Sequence, residues 1–134
     1  MIETHLELRT GVRVRVIDGG GQGIPLVFLH GLSNSIEIWA RVLPRLAAPF
    51  RIIAFDLPGF GQSDRPDALY DSAFFTKQLA ALFDDLALPR AYIIGSSLGA
   101  SIALRFAAEN PERVDRLVLA APGWFRPMDE PGYA

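Results

Sequence analysis

The chain has 134 residues, of which half are hydrophobic and 21% are charged, a composition that suits one folded domain or part of one. Thirteen basic and fifteen acidic residues nearly cancel, so a net charge of −2 gives no electrostatic case for binding nucleic acid or an anionic membrane surface. The absence of cysteine excludes disulfides and thiolate metal sites and is compatible with a cytoplasmic location. Residues 1–7 lack the apolar core of a signal peptide, and no apolar run approaches the roughly 18 residues of a membrane span.

Short apolar segments predict an α/β architecture in which strands and helices alternate after an initial hairpin. The predicted strands are, in chain order, residues 2–9, 12–17, 25–29, 51–55, 91–94 and 117–120. The predicted helices are residues 35–47, a segment from Asp71 or Ser72 to Leu86, and residues 98–109. Pro44 should make the first of these helices irregular or split it. Such connections favour a mainly parallel sheet with functional residues at the carboxyl ends of its strands.

The segment Gly95-Ser96-Ser97-Leu98-Gly99 stands between a predicted strand and a predicted helix. A sharp strand-to-helix turn with a central serine is typical of a nucleophile elbow, which lifts the hydroxyl clear of the sheet. Residues two positions before and after that serine must be very small, because the two backbones nearly touch there. A glycine-rich turn packed for structural reasons is the competing interpretation, and a phosphate-binding loop is disfavoured because its lysine is missing. We interpret Ser97 as a candidate nucleophile and Ser96 as a supporting neighbour.

A second candidate element is His30-Gly31-Leu32, at the end of the third predicted strand. Gly31 allows a sharp backbone turn that would point the Leu32 N–H toward the space above the sheet. The Leu98 N–H lies at the start of the helix that follows Ser97. Two such donors are suited to bind the oxyanion of a tetrahedral intermediate. An ordinary loop is the alternative interpretation of this string.

The positions of the histidines limit the chemistry of this chain. A serine needs a positioned base to act as a nucleophile at neutral pH, and in this architecture the order along the chain is serine, acid, histidine. Both histidines, His5 and His30, precede Ser97. We expect His5 to lie on the polar face of the first strand and His30 to be a structural residue of its turn rather than a general base.

The acidic residues suggest structural roles. Asp56 and Asp64 bound a turn-rich stretch, and we expect them to cap turn N–H groups. The acids after the candidate nucleophile are Glu109, Glu112, Asp115, Asp129 and Glu130. The first three flank the start of the last predicted strand, at the wrong end of the sheet. Asp129 is on the correct side, but the proline-rich tail gives it no defined position. In that tail, Trp124 and Phe125 are candidate pocket residues, and loose packing is the favoured alternative interpretation.

Four segments together resemble the α/β-hydrolase superfamily. They are His30-Gly31, residues 56–63 (DLPGFGQS), residues 95–99 and residues 110–114 (NPERV). Within that superfamily the chain is similar to the lid-bearing group of carboxylesterases, carbon–carbon bond hydrolases, haloperoxidase-like enzymes, epoxide hydrolases and haloalkane dehalogenases. The resemblance implies the α/β-hydrolase fold, a mainly parallel sheet with helices on both faces. It further implies that Ser97 is the nucleophile and that Leu32 and Leu98 supply the oxyanion N–H groups, with no metal and no cofactor.

The resemblance also predicts that residues 1–134 form the N-terminal part of one domain, truncated after about the sixth of about eight strands. The lid, the last strands, the triad acid and the histidine would lie beyond it. We therefore expect a serine hydrolase that acts on an ester-like or activated carbonyl bond of a small molecule, with negligible turnover by this chain alone. A serine disfavours the dehalogenase and epoxide hydrolase branches, which use an aspartate. The alternative is a non-catalytic domain of the same scaffold, used for binding or assembly. The open edge of the last strand predicts self-association.

Overall fold

The computed structural model describes residues 1–46 and 48–123. In this part of the chain the six predicted strands form one sheet with the order β1-β2-β4-β3-β5-β6. The strands are β1 Ile2–Glu7, β2 Arg13–Asp18, β3 Ile24–Leu29, β4 Phe50–Phe55, β5 Ala91–Ser96 and β6 Val114–Ala120. The strand β6 begins earlier than the sequence predicted, because Val114 already pairs with Ala91 of β5.

The central strands run parallel, and their pairing positions the candidate site. Strand β3 pairs in parallel with β4 and with β5, and β5 pairs in parallel with β6. The hairpin of β1 and β2 joins this parallel part through antiparallel pairing of β2 with β4. Leu29 at the end of β3 lies beside both Phe55 of β4 and Gly95 of β5. The residues that follow these three strands therefore meet at one edge of the sheet.

Two α-helices cover one face of the sheet, α1 Ser72–Asp85 and α2 Leu98–Glu109. Their apolar sides bury Phe83 and Phe106 against the β-branched and aromatic residues of the strands. The helix α1 begins at the predicted Asp71, whose carboxylate accepts a hydrogen bond of 2.8 Å from the N–H of Phe74. Within the described residues, no helix has the length and apolarity needed to cross a bilayer.

The opposite face is covered by two short 3₁₀ helices, Ile36–Trp39 and Leu43–Arg45. The sequence predicted one helix over 35–47 here, irregular or split at Pro44. The structure splits it, because Pro44 lies in the first turn of the second 3₁₀ helix and has no N–H with which to continue a helix from the preceding turn. Both segments pack on Phe28 and its neighbours in the sheet. Within residues 1–46 and 48–123, both faces of the sheet therefore carry helices, but α-helices cover only one face.

Candidate active site

Ser97 lies at the corner between β5 and α2. Its φ and ψ are 54° and −116°, a left-handed conformation that costs a residue other than glycine about 1–3 kcal/mol. The corner is held from two sides. The Ser97 N–H donates to the carbonyl of Ala120 at 2.9 Å, and the Ser101 N–H donates to the Ser97 carbonyl at 3.2 Å. The side chain of Ser97 is exposed, so its hydroxyl is open to a substrate at the carboxyl edge of the sheet.

Gly95 and Gly99 allow the strand and the helix to approach each other. A Cβ atom on Gly95 would lie 2.4 Å from the carbonyl oxygen of Gly99, and one on Gly99 would lie 2.2 Å from the carbonyl oxygen of Leu29. These obstacles are backbone atoms that cannot turn away. A purely structural turn would place glycine where φ is positive. The serine at that position, between two glycines required by packing, favours a functional role for the corner.

Gly31 brings the end of β3 against the same corner. A Cβ atom on Gly31 would lie 3.1 Å from the Cβ of Ser97 and 3.2 Å from the carbonyl oxygen of Ser96. The loop that begins here therefore passes directly over the candidate nucleophile. Its next residue, Leu32, is 68% exposed and belongs to a turn rather than to a strand. This placement is compatible with the predicted role of the Leu32 N–H as an oxyanion donor.

Leu98 is the first residue of α2, directly after Ser97. The first N–H groups of an α-helix have no partner within the helix, and the helix dipole places partial positive charge there. A developing oxyanion beside Ser97 would therefore meet a favourable electrostatic potential. The structure places Ser97, Gly31 and the start of α2 together.

His30 is fully buried beneath this site and joins two loops. The Leu57 N–H donates to its Nε2 at 2.9 Å, so the ring proton is on Nδ1, which donates to the Gly31 carbonyl at 2.8 Å. Burial lowers the pKa of His30, and it outweighs the Gly31 hydrogen bond and the charges of Asp56 and Glu37. The imidazole is therefore neutral with both nitrogens engaged, which suits a structural brace and not a general base.

Asp56 is also fully buried, at the end of β4. One carboxylate oxygen accepts a hydrogen bond from the Ile36 N–H at 2.8 Å, and the other accepts one from the Gln62 N–H at 2.8 Å. The loop wraps the carboxylate so closely that a Cβ atom on Gly61 would lie 2.2 Å from it. Asp56 therefore links the segment after β3 to the loop after β4.

The guanidinium of Arg15 completes this network, and the sequence pattern did not reveal it. Arg15 is only 8% exposed and contacts three carboxylates. These are Glu3 at 2.5 Å, Glu37 at 2.7 Å and Asp56 at 3.3 Å. Burial by itself lowers the pKa of Arg15. The hydrogen bonds to Glu37 and Glu3 and the charge of Asp56 raise it by a larger amount, so the net shift is upward. Arg15 therefore stays charged and ties β1 and β2 to the loops under the site.

The first histidine and the remaining predicted acids of the described residues lie away from Ser97. His5 is in β1, at the opposite edge of the sheet. Asp64 accepts a hydrogen bond from the Arg13 N–H at 3.0 Å, and Asp115 forms an ion pair with Arg90. Trp124, Phe125, Asp129 and Glu130 lie outside the described residues. Among the residues described, no group of three or more potential metal ligands is present.

Comparison with known proteins gives several matches. A family model for the alpha/beta hydrolase fold matches residues 24–134. The 2-hydroxymuconate semialdehyde hydrolase of Pseudomonas sp. (strain CF600) is 40% identical over 116 residues, covering 84% of this chain and 41% of that protein. The soluble epoxide hydrolase of Corynebacterium sp. (strain C12) is 35% identical over 118 residues, covering 88% of this chain and 41% of that protein.

A solved structure agrees with these matches. The crystal structure of Cfl2 from Burkholderia cenocepacia superposes with a TM-score of 0.84 at 38% identity, covering 96% of this chain and 45% of that one. The chain thus spans less than half the length of each of these relatives. The matched sequence, the strand order and the strained corner at Ser97 all lead to one assignment: the chain belongs to the α/β hydrolase fold family.

Proposed function

We propose that the protein is a serine hydrolase that forms an acyl-enzyme at Ser97. The observation that carries the proposal is the exposed serine at φ 54°, held between two glycines where β5 meets α2. Strain of this kind persists at functional sites because the surrounding structure enforces it. The names of the relatives, a semialdehyde hydrolase and an epoxide hydrolase, support hydrolysis as the reaction class.

The proposed reaction is acyl transfer to the serine oxygen. The Ser97 Oγ forms a bond to the carbonyl carbon, and the carbonyl π electrons move to the oxygen, where the N–H groups of Leu32 and Leu98 stabilise the charge. The C–O⁻ group then re-forms its double bond, the leaving group departs with the bonding electron pair and takes up a proton, and water hydrolyses the acyl-enzyme. As the new bond forms, the Ser97 O–H bond breaks and its proton passes to a general base, which then gives it to the leaving group. Neither histidine of this sequence is placed to act as that base.

The substrate class we propose is a small molecule with an ester-like or activated carbonyl carbon, handled in the cytoplasm. A hydroxyl nucleophile and two N–H donors suit a planar carbonyl that becomes tetrahedral. A carboxylate nucleophile would instead suit displacement at a saturated carbon. Because the residue at this corner is a serine, Ser97, we favour attack on a carbonyl carbon.

Covalent labelling tests this proposal. The gene is read in frame past codon 134, and the protein with any continuation found there is treated with a fluorophosphonate and assayed with a p-nitrophenyl ester. We expect one phosphonyl adduct on Ser97, loss of both adduct and turnover in Ser97→Ala, and their retention in the neighbouring control Ser96→Ala. Labelling that survives Ser97→Ala would refute the proposal.

The same samples separate the catalytic function from the non-catalytic alternative. A continuation that carries a late aspartate and histidine, together with labelling of Ser97, supports the enzyme. A stop after codon 134 and an unlabelled serine support binding or assembly. Enzyme-like turnover by the 134-residue chain alone, abolished by Ser97→Ala, would show that our assignment of His30 as a brace is wrong.

A further inference from the structure

The main chain of Ser97 is held by the segment that follows β6. Ser96, the last residue of β5, pairs with Ala120, the last residue of β6. The Ser97 N–H extends this pairing by one hydrogen bond, because it donates to the Ala120 carbonyl at 2.9 Å. The position of the candidate nucleophile therefore depends on the course of the chain after Ala120.

Pro122 interrupts the parallel pairing at the next step. In a regular parallel ladder, the Ser97 carbonyl would accept a hydrogen bond from the residue two positions after Ala120. That residue is Pro122, which has no N–H. The Gly123 N–H reaches the Ser97 carbonyl instead, at 3.5 Å, beyond the usual distance of about 2.7–3.2 Å. The ladder by itself therefore holds residues 121–123 only weakly against the nucleophile.

Ala121 makes this segment harder to hold in place. Its φ is 48°, in the left-handed region that residues other than glycine seldom adopt. Pro122 adds to the strain, because the residue before a proline favours an extended conformation with negative φ. Such a conformation persists only where the surrounding structure enforces it. A further contact is therefore needed to fix the chain between Ala120 and Gly123.

Ser101, near the start of α2, supplies that contact. Its hydroxyl donates to the Gly123 carbonyl at 2.7 Å, and its N–H donates to the Ser97 carbonyl at 3.2 Å. A serine in a helix can also bond the carbonyl four positions earlier, but here the Ser97 carbonyl lies 3.5 Å from the Ser101 hydroxyl. The shorter distance shows that the hydroxyl bonds mainly outside its own helix. Ser101 is buried, which strengthens this hydrogen bond.

We propose that Ser101 is a positioning residue for hydrolysis: its hydroxyl clamps residues 121–123 onto the main chain of Ser97 and so fixes the direction of the Ser97 Oγ. The inference rests on the proposed function of Ser97 and adds a residue that acts through the nucleophile. A nucleophile needs accurate alignment, because a displacement of about 1 Å can lower the rate about 100-fold. Loss of the clamp should therefore slow acylation without weakening substrate binding.

The kinetics of a matched set of variants test this proposal. The full chain, with any in-frame continuation past codon 134, is assayed with the p-nitrophenyl ester and with the fluorophosphonate. Ser101→Val and Ser101→Thr introduce side chains of nearly equal shape, of which only threonine keeps the hydroxyl. We expect Ser101→Val and Ser101→Ala to lower kcat and the labelling rate about three- to tenfold, with KM within about twofold. Ser101→Thr should retain both rates.

A variant that is destabilised elsewhere separates positioning from a merely structural role. Ile102→Val shortens a fully buried side chain in the same helix, so it should lower the thermal stability and leave kcat and KM unchanged. Circular dichroism checks that each variant folds. If threonine does not fit at position 101, the comparison of Ser101→Ala with Ile102→Val decides the question in the same way.

The outcomes distinguish this inference from the proposed function. Equal kcat in Ser101→Thr and Ser101→Val, or a decrease in Ile102→Val as large as in Ser101→Ala, would overturn the positioning role. If labelling depends on Ser97 and every Ser101 variant reacts normally, the positioning role alone is wrong. If Ser97→Ala still takes up the label, the proposed function is wrong and the positioning role is wrong with it.

Discussion

Replacing Asp56 by alanine tests whether the buried carboxylate network holds the site together. The substitution removes the acceptor of the Ile36 and Gln62 N–H groups, both bonded at 2.8 Å, and leaves Arg15 with two of its three carboxylates. A hydrogen bond to a charged group contributes about 1.5–3 kcal/mol, so the two N–H bonds together represent about 3–6 kcal/mol. Domains of this size have free energies of unfolding of about 5–15 kcal/mol. We therefore expect the loss of a large share of the stability.

The assay is urea unfolding at one fixed protein concentration, because self-association would make stability depend on concentration. Trp39, whose ring lies 5.1 Å from that of Phe28, reports the transition by fluorescence. The control is Asp67→Ala, which removes an exposed carboxylate from the same loop and should change the free energy of unfolding by less than about 0.5 kcal/mol. If Asp56→Ala were as mild as Asp67→Ala, the network would not brace the loops.

Two further predictions concern the corner and its histidine. Gly99→Ala puts a Cβ atom 2.2 Å from the Leu29 carbonyl oxygen and should cost more than about 3 kcal/mol in thermal or urea unfolding, whereas Gly123→Ala, whose nearest such contact is 4.0 Å, should be nearly neutral. Because burial holds the pKa of His30 below its ordinary 6.5, the unfolded chain binds more protons as pH falls. Stability should therefore be full above pH 6.5 and decline as pH falls toward the folded-state pKa. His30→Gln should flatten this decline. If the free energy of unfolding of this variant fell with pH as steeply as in the original protein, the assignment of His30 as a buried neutral residue would be contradicted. Nitrogen-correlated NMR should show the neutral tautomer with the proton on Nδ1, since Nε2 accepts from Leu57.

Several elements were predictable because their signals are local. Asp71 caps α1 through a bond to an N–H three residues away, and a glycine–serine–glycine spacing specifies the corner within five residues. The division of the predicted helix 35–47 was also foreseeable from Pro44, although its 3₁₀ geometry was not. Alternation revealed the strands of the hairpin because half-buried strands repeat every two residues.

The buried polar network could not be predicted in the same way. Arg15 alternates with apolar residues and reads as a solvent-facing side chain, yet it is enclosed by carboxylates from β1, a 3₁₀ helix and the loop after β4. His30 gives no sequence signal for its two hydrogen bonds. Such contacts depend on how distant segments pack, and periodicity carries no information about them.

The amino-acid sequence by itself determined the order of strands and helices and the identity of the strained serine, because spacing and residue size act over a few neighbouring positions. The structural role of His30 was also expected from the sequence, but only the tertiary structure decided which groups it joins and that Arg15 is buried. Both outcomes depend on desolvation and on partners contributed by segments far apart in the chain.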